Sequence, residues 1–184
     1  DYRDSDWRIT GSYDRIGKNF NPEVGFLRRA DFQEGGIVLW RYIRVPQVDW
    51  LRELRPHTSY GASYGLTNRL KETTHLHMDT HAVWENGALL SPATDWIYDR
   101  LTEPLLLATG VNDEGERTFV EVEVGEYSGW LFNPRYQTST QVPIVWNTTF
   151  AIGHFFSGTQ RGVNTQVSFQ LGGSLSGDLG LEHN

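Results

Sequence analysis

From Val142 to Leu181 the chain keeps a two-residue alternation over runs much longer than an ordinary strand, and few folds can absorb that. Between Val142 and Ile152 the even positions read Val142, Ile144, Trp146, Thr148, Phe150 and Ile152. The odd positions, Pro143, Val145, Asn147, Thr149 and Ala151, are mostly small or polar. After Ser157-Gly158-Thr159-Gln160-Arg161-Gly162 the alternation resumes as Val163, Thr165, Val167, Phe169 and Leu171 against Asn164, Gln166, Ser168 and Gln170. Gly172-Gly173-Ser174 then turns the chain, and Leu175, Leu179 and Leu181 alternate with Ser176, Asp178, Gly180 and Glu182. Period two gives each strand one apolar and one polar face, and short turns make neighbours antiparallel. Runs of about 9–11 residues exceed the usual strand of about 5–6 and match a tilted strand that crosses a bilayer in a barrel. The reading is all-β: an antiparallel up-and-down meander of about eight to nine long strands, a barrel or part of a barrel.

The earlier chain follows the same logic. Trp7, Ile9, Gly11 and Tyr13 alternate with Arg8, Thr10, Ser12 and Asp14 as a first strand, followed by a long connection from Ile16 to Gly36. Ile37 to Val45 reads as a strand covered on both sides, and Val48 to Leu54 as a short helical turn or an interfacial hook. Thr58, Tyr60, Ala62, Tyr64 and Leu66 oppose Ser59, Gly61, Ser63 and Gly65, whose small side chains leave room in a lumen. Lys71 to Trp84 places Leu76, Met78, Thr80, Ala82 and Trp84 on one face and His75, His77, Asp79 and His81 on the other. Asn86-Gly87 predicts a type I′ hairpin turn, with Ala88 to Asp99 returning. A long excursion spans 100–117, Thr118 to Val124 is a strand, and Tyr127 to Gln137 continues after a bulge at Gly125. Connections at 85–87, 138–141 and 172–174 are short, whereas those at 100–117 and 156–162 are longer, as expected when one barrel end carries tight turns.

Composition narrows the class. A hydrophobic content of 38% and the absence of any long apolar run exclude helical membrane spans, yet both suit a barrel whose strands are half polar. Seven Trp, eight Tyr and nine Phe suit interfacial girdles or sugar-stacking platforms. A net charge of −7 argues against a nucleic-acid partner, and the lack of cysteine rules out disulfides and thiolate metal sites. The chain opens on Asp1 and strand alternation runs from Trp7 to Glu182, so residues 1–184 are expected to be one β domain cut from a longer chain.

Three constellations could carry chemistry. His75-x-His77-x-Asp79-x-His81 sets four potential ligands on one strand face. Same-face neighbours lie roughly 6.5–7 Å apart, so adjacent imidazoles can converge on zinc or copper with help from another strand. The competing and favoured reading is a polar lumen wall, or a solvated face, rich in histidine and with no cofactor; His57, His154 and His183 lie on other strands at unknown register. Among Glu114, Glu116, Glu121, Glu123 and Glu126, the pair Glu121 and Glu123 approaches the carboxylate spacing of about 5–9.5 Å that glycoside hydrolysis needs, as would any strand with alternating Glu. Trp84, Trp96 and Trp130, with Trp40, Trp50 and Trp146, could stack on sugar or sit in the core or at a bilayer interface. No nucleophile stands with a base in a recognisable motif.

The stretch Gly17-Lys18-Asn19-Phe20-Asn21-Pro22-Glu23-Val24-Gly25-Phe26-Leu27-Arg28-Arg29 resembles the D/N-F-N-P-E-V-G-F signature of a bacterial domain of unknown function. In that family the domain follows a sugar-binding module similar to carbohydrate-binding family nine. Trp50-Leu51-Arg52, Asn86-Gly87, Leu101-Thr102-Glu103-Pro104, Gly125-Glu126-Tyr127 and Phe155-Phe156-Ser157-Gly158-Thr159 resemble later steps of the same family, in the same order. Val124 stands where the family has proline, and these 184 residues hold no counterpart of the sugar-binding module. The resemblance implies an outer-membrane β-barrel, in a group sometimes labelled membrane-associated hydrolases.

The combined expectation is an outer-membrane scaffold or passage module tied to polysaccharide handling, and not a catalyst. Its partners would be the lipid bilayer, a polysaccharide, and the remainder of a longer chain or other subunits. The alternatives are a soluble glycoside hydrolase or metal-dependent hydrolase using the His75, His77 and His81 face, or a soluble carbohydrate-binding sandwich. Either would be periplasmic or secreted.

Overall fold

A computed structural model describes residues 1–23, 30–111, 117–173 and 175–183. Val24 to Arg29 of the signature stretch, and Glu114 and Glu116 of the acidic set, lie outside the described residues. In chain order the strands are β1 (Tyr2–Arg3), β2 (Trp7–Ile16), β3 (Phe32–Arg41), β4 (Ile43–Arg44), β5 (Leu51–Gly65), β6 (Lys71–Trp84), β7 (Leu89–Ser91) and β8 (Thr94–Leu101). They continue as β9 (Leu105–Val111), β10 (Arg117–Val122), β11 (Gly125–Phe132), β12 (Arg135–Gln137), β13 (Ile144–Phe155), β14 (Gly158–Leu171) and β15 (Leu175–His183). No helix occurs among the described residues. β9 and β10 form a separate hairpin, and the other 13 strands form one antiparallel sheet.

Two pairs of short strands are halves of single long ones. β7 and β8 both pair with β6, and the break between them falls at Pro92-Ala93. β11 and β12 both pair with β13, and their break falls at Asn133-Pro134. Proline has no N–H to give to a ladder, so each proline interrupts its strand at mid-length. The two breaks lie side by side: the Asn133 N–H donates to the Ala93 carbonyl at 2.9 Å. The pairings β6–β7–β12–β13–β11–β8 and back to β6 therefore close a ring around this spot within the sheet. Counting the halves together leaves nine long staves in sequential order, β2, β3, β5, β6, β7+β8, β11+β12, β13, β14 and β15, which bears out the meander. The first and last of them are not paired with each other among the described residues.

The register makes two continuous faces. Across the ladders Ile37 pairs with Tyr60, Tyr60 with Leu76, Leu76 with Trp96, and Trp96 with Trp130. Phe132 pairs with Ile152, Phe150 with Val163 and Val167 with Leu179, carrying the same apolar face to the last strand. On the other face Val38 pairs with Ser59, Ser59 with His77, and His77 with Asp95. Farther along, Thr149 pairs with Asn164 and Ser168 with Asp178.

Burial is inverted relative to a water-soluble domain. Among the described residues the only side chain below 2% exposure is Ser63; Thr74, Asp79, Ser91, Asp95, Ser139 and Thr148 are buried with it, against Val83, Ala88, Ala93, Tyr98 and Val122 among the apolar residues. Ile144, Trp146, Phe150, Ile152, Leu179 and Leu181 are exposed, Leu179 to 68%. The accessible surface is 13107 Å², against about 9,000 Å² for a folded monomer of this size.

Several local expectations change. Asn86-Gly87 does turn a hairpin, but only Gly87 has positive φ (87°), so the turn is not type I′. The Gly87 N–H donates to the Trp84 carbonyl and the Trp84 N–H to the Ala88 carbonyl, both at 2.9 Å. This is the three-residue hairpin in which glycine follows a type I turn. The expected loop 156–162 shrinks to Phe156-Ser157, because Gly158 already starts β14. Val48 to Leu54 forms no helix: a turn ends at Trp50 and β5 begins at Leu51. β3 starts at Phe32 and is not covered on both sides, since Ile37 is 51% exposed. Finally, the excursion 100–117 contains β9, whose run Leu105-Leu106-Leu107 hides any alternation.

Candidate functional site

Five of the six histidines lie on the polar face, and four of them, His57, His75, His77 and His81, meet there. His75, His77 and His81 arrive on β6 as the alternation requires, with Asp79 among them. β5 brings His57 directly opposite Asp79, and β8 brings Asp95 directly opposite His77. His154 joins from β13, where Gly153 at φ 150° sets the local course of the strand. Its ring lies over Gly129, in the space that a β-carbon there would occupy. His183 pairs with Val163 and belongs to the apolar face.

The hydrogen bonds divide the cluster into two parts. Asp95 is a shared acceptor: its Oδ1 lies 2.7 Å from His75 Nε2 and 2.7 Å from His77 Nδ1, and its Oδ2 accepts from Asn133 Nδ2 at 2.8 Å. Asp79 is the other anchor. Its Oδ1 accepts the Thr80 N–H at 2.6 Å, while its Oδ2 accepts from Ser91 Oγ and lies 3.0 Å from His81 Nε2. Between the two, His57 Nε2 faces His77 Nε2 at 3.2 Å and Asp79 Oδ2 at 3.9 Å. Trp40 stacks on His57 with centroids 3.6 Å apart and planes within 6°, which fixes the imidazole plane. The side chains of His57, Asp79 and Asp95 are nearly buried, whereas that of His75 is 55% exposed. Such a cluster can relay protons or hold a cation.

The remaining sequence candidates fall elsewhere. Trp96 and Trp130 are direct partners on the apolar face, turned away from the histidines. Trp84 belongs to an aromatic row at the end of the sheet that carries the 85–88 and 138–143 turns. There Trp50 and Trp84 lie 6.4 Å apart, Trp84 and Tyr136 6.1 Å, and Tyr136 and Trp146 5.8 Å. Glu121 sits exposed on β10, opposite Leu106 at a register shift, and Glu123 lies exposed on the step to β11. His57, Asp95, Asn133 and Trp40 are the site residues that sequence reading did not place. Their faces follow from parity, but their heights depend on the connections between strands. No protein-family model, curated protein or solved structure matches this chain.

Proposed function

We propose that this chain forms part of the wall of an outer-membrane-type β-barrel, a scaffold or passage module associated with polysaccharide. The apolar face meets lipid and the polar face lines the interior. The carrying observation is the exposed apolar face: Trp130, Phe150, Ile152 and Leu179 stand exposed on one continuous face, while few large apolar side chains, Val83, Tyr98 and Val122, are enclosed. Water-soluble domains bury such side chains, and lipid-facing barrel strands present them outward.

Three further features support the reading. The staves are long enough to cross a hydrocarbon core, β6 and β14 having 14 residues each. The row from Trp50 to Trp146 sits at one rim of the apolar face, where barrels place an aromatic girdle. On the polar face, Ser12, Gly36, Ser59 and Gly61 line a concavity of about 280 Å³, which suits an interior that holds water or an extended solute. The polysaccharide association rests on the resemblance of the Phe20-Asn21-Pro22-Glu23 stretch and its successors to a domain that follows a sugar-binding module. The glycoside-hydrolase reading is weaker, since Glu121 and Glu123 lie off the histidine face.

Purification of the full chain with and without detergent tests the proposal. The expected result is a monodisperse β-rich species only in detergent or lipid vesicles. A monodisperse, folded species in plain buffer would overturn it.

A further inference from the structure

The two carboxylate-centred groups on the polar face differ in a way that assigns them different work. In the outer one, His75 and His77 both lie 2.7 Å from one Asp95 oxygen. That is the length of a charge-assisted hydrogen bond and leaves no room for an ion. In the inner one, His57 Nε2, His77 Nε2 and Asp79 Oδ2 converge without closing, at 3.2 and 3.9 Å from His57 Nε2.

The tautomers follow from the partners. His57 Nδ1 is 3.2 Å from the Arg55 carbonyl oxygen, which can only accept, so Nδ1 carries the hydrogen and Nε2 presents its lone pair. His77 Nδ1 faces the Asp95 carboxylate and is likewise the donor, leaving its Nε2 lone pair free. Two imidazole lone pairs thus point at each other over 3.2 Å, with a carboxylate oxygen beside them. Such an arrangement is repulsive unless a positive charge stands between the rings, either a proton on one Nε2, which makes 3.2 Å an N–H···N bond, or a metal ion. A tetrahedral ion with bonds of about 2.0–2.1 Å separates its donors by about 3.3–3.4 Å, and the two observed distances bracket that edge.

We infer that His57, His77 and Asp79 form a binding site for a divalent zinc-type ion, with His57 Nε2, His77 Nε2 and Asp79 Oδ2 as ligands. The surroundings are those of a supported site. Asp95 orients His77 in a carboxylate–histidine pair, the Arg55 carbonyl and the Trp40 ring orient His57, and the Thr80 N–H, Ser91 Oγ and His81 Nε2, the last at 3.0 Å from Oδ2, hold Asp79. Three protein ligands of this type leave one coordination position for water or for a solute on the polar face. The nitrogen and oxygen donors suit zinc or a neighbouring first-row divalent ion and exclude a thiolate-type centre. Asp95 is a positioning residue and His75 lies outside the site. The inference depends on the register of β5, β6 and β8 and not on lipid contact, so it stands or falls separately from the barrel proposal.

The test uses full-length protein purified without a histidine tag, stripped by chelator, and titrated with zinc alone. Wild type is expected to hold one equivalent. His57→Ala and His77→Ala should each weaken binding by more than about 100-fold, Asp95→Asn by about 10–100-fold, and His75→Ala by less than about threefold. Equal losses from His75→Ala and His57→Ala, or no stoichiometric binding by wild type, would overturn the assignment. X-ray absorption of zinc-loaded wild type needs no variant and covers the case in which a substituted chain does not fold. Two imidazoles and oxygen donors are expected in the zinc shell, and a shell of oxygens alone would also overturn it.

Discussion

Thr149 and Phe150 are chain neighbours on β13 whose cross-strand partners place them on opposite faces: Thr149 stands between Asn164 and Arg135, and Phe150 is opposite Val163. Phe150 is 44% exposed although it is one of the largest apolar side chains on its strand. If its face meets lipid, Phe150→Arg should prevent membrane assembly, at a cost of about 2–4 kcal/mol near the bilayer midplane. Thr149→Arg should assemble normally, because its side chain enters the polar face. Membrane-fraction yield of the two variants checks this, and equal yields would contradict the face assignment.

The contact between Gly129 and His154 gives a prediction about packing on the polar face. A β-carbon on Gly129 would lie 2.2 Å from His154 Cγ, far inside contact distance, whereas one on Gly17 would meet nothing within 4 Å. Gly129→Ala should destabilise the fold by about 1–3 kcal/mol, and Gly17→Ala should leave it unchanged. Adding His154→Ala to Gly129→Ala should restore only part of the loss, since it removes the ring but leaves the His154 β-carbon 2.4 Å from the new methyl. Denaturant midpoints of the refolded chain measure all three.

At the β6–β7 hairpin the geometry ranks two neighbouring substitutions. Gly87→Ala puts a side chain on a residue at φ 87° and within 3.1 Å of Ser139 Oγ, so it should cost more than about 1 kcal/mol. Asn86→Ala removes the acceptor of the Ala88 N–H, at 2.9 Å, and should cost about 0.5–1.5 kcal/mol. A larger loss at Asn86 than at Gly87 in the same unfolding assay would contradict the turn described.

The sequence carried the strand faces well and the relations between strands poorly. β6 runs over Lys71–Trp84 with the parity that places His75, His77, Asp79 and His81 together, since alternation is a property of one strand alone. The partners of those histidines were not legible. His57 meets Asp79 only because the chain turns at 66–70 and the ladder shifts between Ser63 and Tyr64, and neither detail leaves a period in the sequence. The breaks at Pro92 and Pro134 did carry a signal, the missing N–H of proline, which the surrounding alternation masked. β9 was missed because Leu105 to Leu107 is apolar at every position, so period two has nothing to mark.

The lipid-facing assignment is tested most directly by labelling along β13. The chain contains no cysteine, so a single cysteine can be introduced at each position from 144 to 152 and spin-labelled in the full chain assembled in lipid vesicles. The account predicts that accessibility to oxygen dissolved in the bilayer peaks at 144, 146, 150 and 152. Accessibility to a water-soluble nickel chelate should peak at 145, 147, 149 and 151, in opposite phase with period two. Profiles that run in phase, or oxygen maxima at the odd positions, would contradict it.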